Sequence, residues 1–256
     1  MEQGCPSPCQ NDGVPLAWRT PDIEYVFNVK GFPMLSDAAM RDTFASSFAT
    51  WERVRCGGDT IAVTSTAASG TTTSLSGHNQ PPAVNENVIM HFTSSEWLDR
   101  DYAPQAFAIT AVWYNPRDGE IYGADMMFNG RMDPFGVCPE TSCRGSDVET
   151  DLQNVATHEI GHMLGLSHSD VEASTMWCDA DTKEVSKRDL AADDIAGVCA
   201  VYPPGRDGGS GNSDGGTDTD ADEGCRLAAG ASPWGLAPLL AALLATRLGR
   251  RRRRGG

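Results

Sequence analysis

Residues 22–30, DIEYVFNVK, alternate apolar and polar positions and stop at Gly31, the pattern of a strand with one face buried. Beyond Ser36, a residue suited to cap a helix, DAAMRDTFASSFATWERV brings Met40, Phe44, Phe48 and Trp51 back at helical spacing, and Gly57 and Gly58 close it. This predicts an amphipathic helix whose aromatic stripe faces the core. TIAVTST (60–66) and NVIMHFTS (87–94) read as strands on either side of a Gly/Ser/Thr/Asn/Pro-rich loop at 69–87. AITAVWYN (108–115) and IYGADMMFN (121–129) flank PRDGE, whose Asp-Gly marks a turn between neighbouring strands. A second helix is predicted over 148–165, with Gly165 as its stop. A third is predicted near 188–201, where Leu190, Ile195, Val198 and Val201 share a face before Pro203 and Pro204. Strands and helices mixed in this way indicate an α+β body.

The patterning ceases at 205. GRDGGSGNSDGGTDTDADEG (205–224) has too few apolar residues to bury a core and predicts a solvated, disordered linker. Its DTDADEG lacks the twelve-residue spacing of a calcium loop. Leu227 to Leu248 is then apolar apart from Ser232, Thr246 and Arg247, and Arg250 to Arg254 follow directly. That length predicts a transmembrane segment at 227–248, and the arginine block predicts that its C-terminal end stays cytoplasmic, with the body across the membrane. The expected organisation is an N-terminal segment (1–14), one folded domain (15–204), the linker (205–224) and a tail (225–256).

Charge sharpens this division. Residues 226–256 hold seven Arg and no acid, so before them 13 Lys+Arg face 35 Asp+Glu, a charge of −22. A body so acidic repels phosphate backbones, which excludes nucleic acid as an expected partner. Eight cysteines, at 5, 9, 56, 138, 143, 178, 199 and 225, include no zinc-ribbon pair and predict disulfides and an extracytoplasmic setting. Cys138 and Cys143 could close a small loop, and Cys178 and Cys199 could staple the segment they flank. MEQGCPSPCQNDG has neither a charged n-region nor an apolar h-region, so the expectation is either a start set downstream of a signal peptide or another export route.

The candidate chemistry sits in THEIGHMLGLSHS (157–169), which holds three of the five histidines. Positions i and i+4 share a helix face, so His158 and His162 can bridge one ion. A catalytic zinc needs a third protein ligand and one open position. His168 supplies the ligand if the chain turns sharply at Gly165, which can adopt the left-handed conformation. Glu159, about 100° around the helix from His158, can reach the open position and take a proton from water there. His, Glu, His, Gly and His at five fixed positions arise by chance on the order of once in ten million windows. The chemistry implied is amide hydrolysis. His78 and His91 have no partner at ligand spacing and are expected to be ordinary loop and strand residues.

HEIGHMLGLSH resembles the extended zinc signature of the metzincin metallopeptidases, and STMW (174–177) resembles their Met-turn. Ser169 and LAADDIAGVCAVYP (190–203) are similar to the matrixin branch. The resemblance covers roughly 15–204. It implies a twisted, mixed five-stranded sheet with three helices and one catalytic zinc held by His158, His162 and His168, with Glu159 as base and Met176 as an apolar platform beneath the ion. Asp193 and Asp194 would anchor the Met-turn. An edge strand would align a protein or peptide substrate antiparallel to itself; AITAVWYN is the candidate, with Ala111, Val112 and Trp113. WCDADTKEVSKR (177–188) would border the pocket beyond the cut bond. The cysteine-switch motif PRCGxPD, the His-containing structural zinc loop and hemopexin-like repeats do not occur in this sequence. Asp118, Glu120 and Asp125 remain as an expected calcium site. Gly224-Cys225, the apolar span and the Arg cluster resemble the bacterial MYXO-CTERM sorting tails, which implies processing near the Cys and a protein held on the cell surface. The whole is expected to be a monomeric zinc endopeptidase displayed there. Two alternatives stay open: an inactive surface adhesion module, which retention of Glu159 argues against, and a zinc amidase acting on a non-protein substrate.

Overall fold

A computed structural model describes residues 14–20, 22–77, 85–139 and 143–204 and the backbone of 238–245. In chain order the elements are β1 (Asp22–Asn28), α1 (Asp37–Glu52), β2 (Arg55–Cys56), β3 (Asp59–Thr60), β4 (Thr64–Thr72), β5 (Val88–Phe92), α2 (Ser94–Leu98), β6 (Ala106–Tyr114), β7 (Ile121–Asn129), β8 (Phe135–Gly136), β9 (Thr150–Asp151), α3 (Leu152–Met163), β10 (Asp179–Ala180), α4 (Ala192–Val201) and β11 (Pro238–Ala245). The expected mixed five-stranded sheet is present in the order β6-β7-β5-β1-β4, with β6 antiparallel and the other neighbours parallel.

α1 begins where Ser36 accepts the Ala39 N–H, and it buries Met40, Phe44, Phe48 and Trp51 against the sheet, as its stripe predicts. Phe48 stacks on Tyr25 at 4.5 Å between ring centres, and Phe44 meets Phe27 edge-on at 5.3 Å. The Trp51 indole donates to the Thr157 carbonyl at 2.8 Å, which ties α1 to α3 on the same face of the sheet. On the opposite face Met90, Ile109 and Met127 pack around Trp97 of α2.

Several boundaries differ from the sequence pattern. β4 runs to Thr72, inside the expected loop at 69–87, because parallel pairing with β1 satisfies its backbone while its side chains lie largely exposed at the sheet edge. The five-residue α2 is too short to show a period; Thr93 and Glu96 form its capping box. α3 starts at Leu152 and not near 148, since the Asp151 carboxylate accepts the Asn154 N–H at 2.8 Å while residues 150–151 pair as β9 with β8. α4 starts at Ala192, preceded by a single 3-10 turn at 186–188.

The described cysteines, at 56, 138, 143, 178 and 199, are oxidised. Cys138 and Cys143 close the small loop, but Cys199 bonds Cys56 and not Cys178. α4 packs against β2, which brings together two cysteines 143 positions apart. Cys178 is disulfide-bonded as well.

The tail departs furthest from expectation. Of the predicted transmembrane segment at 227–248, residues 238–245 are described, and they form a strand, β11, not a helix. It lies antiparallel on β6 with Leu239 opposite Val112 and Leu240 opposite Ala111, while β10 flanks its other side. The open edge of β6 offers N–H and C=O groups that an extended apolar segment can pair with, in place of hydrogen bonds within a helix. Among the described residues no helix is long and apolar enough to cross a membrane. The linker at 205–224 lies outside the described residues, as does His78.

Candidate metal centre

α3 carries His158 and His162 one turn apart, and its end is shaped by Gly165, whose φ of +95° is the left-handed conformation the motif requires. A Cβ at Gly165 would also lie 2.3 Å from the Leu16 carbonyl oxygen, so glycine is needed twice over. The last carbonyls of α3 are not left bare: the Trp18 indole donates to Met163 at 2.8 Å and the Tyr202 hydroxyl to Leu164 at 2.9 Å. Residues near both ends of the folded body therefore fasten the turn that delivers His168.

All three imidazoles are buried and point their Nε2 atoms at one spot. His162 Nε2 lies 3.0 Å from that of His158 and 3.2 Å from that of His168. His158 Nδ1 sits 2.6 Å from the Thr175 carbonyl and His162 Nδ1 2.8 Å from the Leu166 carbonyl. A carbonyl only accepts, so Nδ1 of both rings carries the proton and both Nε2 atoms present lone pairs. Burial reinforces the neutral form, holding the pKa of His158 well below the ordinary value and that of His162 down at about 4. Converging lone pairs repel one another unless a cation lies between them. Zinc–nitrogen bonds of about 2.0–2.1 Å in tetrahedral array put ligand nitrogens about 3.3 Å apart, close to the spacing here. The donor set fits zinc.

Met176 packs against α3 at Gly161. A Cβ at Gly161 would come within 2.2 Å of its sulfur and 2.9 Å of the Trp51 ring, so the glycine inside the motif makes room for the Met-turn. Asp194 fixes that turn: its carboxylate accepts the Ser174 hydroxyl at 2.5 Å and the N–H groups of Thr175 and Met176 at 2.8 and 3.0 Å. Asp193 accepts the Ser169 hydroxyl at 2.6 Å.

Two participants escaped the sequence pattern. The buried Lys187 donates to the carbonyls of Trp177 and Thr175 at 2.7 and 3.2 Å, and burial pushes its pKa down to about 8. Thr110 on β6 donates to the Glu159 carboxylate at 2.5 Å. Neither residue stands in a recognisable spacing relative to the histidines.

The chain belongs to the matrixin family. Residues 63–203, more than half of the chain, match the family's sequence model, described as Matrixin. It is 36% identical over 132 residues to metalloendoproteinase 5-MMP of Arabidopsis thaliana, which covers 51% of this chain and 34% of that one. Metalloendoproteinase 2-MMP of the same plant is 26% identical over 184 residues, covering 71% and 41%, and matrilysin of Rattus norvegicus is 41% identical over 58 residues, covering 23% and 22%. The chain thus spans well under half of these relatives' own lengths.

The remaining expected site residues are placed as follows. Ala111, Val112 and Trp113 lie on β6, between β7 and β11, on the edge that β11 now covers. Asp118 and Glu120 both face Arg19, at 2.6 and 3.5 Å. Asp125 is instead buried on β7, where it accepts the N–H groups of Val88 and Gly77 and desolvation raises its pKa to about 6. The three acids expected to share a calcium ion are therefore not brought together, because strand alternation turns Asp125 into the sheet while the β6–β7 turn projects the other two outward. Cys138, Cys143 and Asp151 also converge, but the disulfide consumes both sulfurs and Asp151 is bonded to Arg188. His91 bonds Asp133 at 3.0 Å and packs beside Phe32, as an ordinary strand residue would.

Proposed function

We propose that this chain is a zinc-dependent endopeptidase that cuts peptide bonds in an extended protein or peptide substrate. The observation that carries the proposal is the convergence of three buried Nε2 atoms, two of them on the helix that also carries the buried Glu159. His158, His162 and His168 would hold the ion. When bound, zinc supplies a Lewis acid that polarises a scissile carbonyl and lowers the pKa of water to about 7. Glu159 would accept the proton of the attacking water at its carboxylate and pass it to the leaving amine. Burial of Glu159 excludes bulk water, so the proton stays between the carboxylate and the reactants.

Along β6, Ala111, Val112 and Trp113 would pair with substrate backbone in antiparallel register by strand addition. The pairing of β11 with these residues supports that role, since it is an extended segment seated in the same orientation. A substrate taking the same edge must displace β11. Work outside the cytoplasm is supported by the disulfides Cys56–Cys199 and Cys138–Cys143. Attachment to the cell surface would use the sorting-tail-like residues 225–256.

The test is hydrolysis of casein and of a quenched fluorescent peptide by the full chain, with chelator, with zinc restored, and as Glu159→Ala. Chelation and the substitution should each abolish cleavage, with zinc recovering only the wild type. A folded, zinc-loaded wild type that cleaves nothing, or cleavage indifferent to both treatments, overturns the proposal.

A further inference from the structure

We propose that Thr110 is a positioning residue for Glu159: its hydroxyl holds the carboxylate in the orientation that proton transfer needs. This rests on the role proposed for Glu159 above. Alternation along β6 sends Ala108, Thr110 and Val112 to the face that meets α3, whereas Ile109 and Ala111 join the opposite core. Thr110 thus places a hydroxyl between the apolar Ala108 and Val112, and a buried hydroxyl is costly unless it is hydrogen-bonded. Its Oγ1 lies 2.5 Å from Glu159 Oε2 and 3.2 Å from the Glu159 carbonyl. A hydroxyl has one proton to give, and the nearer acceptor, a carboxylate, makes the stronger bond.

Helix α3 fixes where the Glu159 backbone lies, but three side-chain torsions still separate that backbone from the carboxylate. Thr110 supplies the missing constraint from a rigid support, since β6 is laddered to β7, with Thr110 opposite Met126, whether β11 or a substrate occupies its other edge. Both side chains are fully buried, so water cannot replace the hydroxyl when it is removed. The contact therefore joins the strand proposed to align substrate to the group proposed to move the proton.

The experiment compares Thr110→Val, which keeps the shape and removes the donor, with Thr110→Ser, which keeps the donor, in the full zinc-loaded chain. Thr110→Val should lower kcat by about ten- to a hundredfold, the worth of a hydrogen bond to a charged group, with KM and zinc affinity unchanged. Thr110→Ser should restore most of the rate. On a Glu159→Ala background Thr110→Val should change the residual rate no further, whereas a merely structural role would lower it by the same factor in both backgrounds. Independently of turnover, the Glu159 side-chain carboxyl carbon resonance, assigned with Glu159→Gln, should shift in Thr110→Val and not in Thr110→Ser. An unmoved resonance, equal losses in the Val and Ser variants, or additive losses with Glu159→Ala overturn the inference. If the wild type hydrolyses nothing, the proposed activity falls while the resonance still decides the contact.

Discussion

Asp194→Asn changes one atom and should nonetheless unseat the Met-turn. The four bonds to the Asp194 carboxylate fall in pairs: Oδ1 takes the Ser174 hydroxyl and the Met176 N–H, while Oδ2 takes the N–H groups of Thr175 and Ala191, each at 2.8 Å. An amide keeps its oxygen for the Thr175 and Ala191 N–H groups and turns its NH2 towards the other pair, where the Ser174 hydroxyl can reverse to accept but the Met176 N–H faces a donor in a buried loop. Losing the Met176 bond to a charged group, at about 1.5–3 kcal/mol, and reducing the other three from charged to neutral bonds, at about 1 kcal/mol each, gives a loss of roughly 4.5–6 kcal/mol. That is a large part of the 5–15 kcal/mol by which domains are typically stable, and it corresponds to a fall in Tm of roughly 9–24 °C. The damage should reach the metal, because the Thr175 carbonyl that would be displaced is the partner of His158 Nδ1. Loss of such a ligand-orienting bond typically weakens metal binding about 10–100-fold. Urea unfolding of the zinc-loaded full chain and zinc competition against a chelating dye measure the two effects. Asp193→Asn is the control: it takes a single hydroxyl bond from Ser169 and should cost about 1 kcal/mol or less. If Asp194→Asn unfolds within about 1 kcal/mol of wild type and binds zinc equally well, the four-bond account of the Met-turn is wrong.

Three further outcomes are expected. Lys187 is held at about 8 in the fold against an ordinary value of 10.5, so between those values the unfolded chain binds more protons and stability rises with pH. The unfolding free energy from urea titrations should rise in wild type by on the order of 2 kcal/mol from pH 8 to 10, and Lys187→Met should remove that rise; a flat wild-type profile contradicts the burial argument. Zinc should stabilise the chain by about 1.4 kcal/mol for each tenfold excess over its Kd, read as a Tm that climbs with zinc and drops on chelation, and His168→Ala should flatten the dependence. Leu240→Pro in β11 should raise kcat/KM of the full chain by about tenfold or more, because proline removes a ladder donor and breaks strand pairing. An unchanged kcat/KM would mean that β11 and substrate do not compete for β6.

Much of the site was legible because it is written in local spacing. His158 and His162 fall on one helix face, and Gly165 adopts the positive φ that lets His168 return, all within eleven residues. The stripe of α1 and the β6–β7 turn were readable for the same reason, since the period of an element is a property of a short window. The need for Gly161 was hidden in that window, because what it avoids, the Met176 sulfur and the Trp51 ring, comes from 15 positions later and 110 earlier.

What the chain alone determines is which atoms can bind and where each lies along its own helix or strand, because covalent geometry and backbone periodicity act over a few residues. Tertiary packing decided the rest. It chose Cys56 over Cys178 as the partner of Cys199, brought Thr110 to Glu159 and Lys187 to the Met-turn, separated Asp125 from Asp118 and Glu120, and drew 238–245 into the sheet instead of leaving it a helix. Those outcomes depend on burial and on which backbone groups remain unpaired once the sheet has formed, and neither exists until distant segments meet.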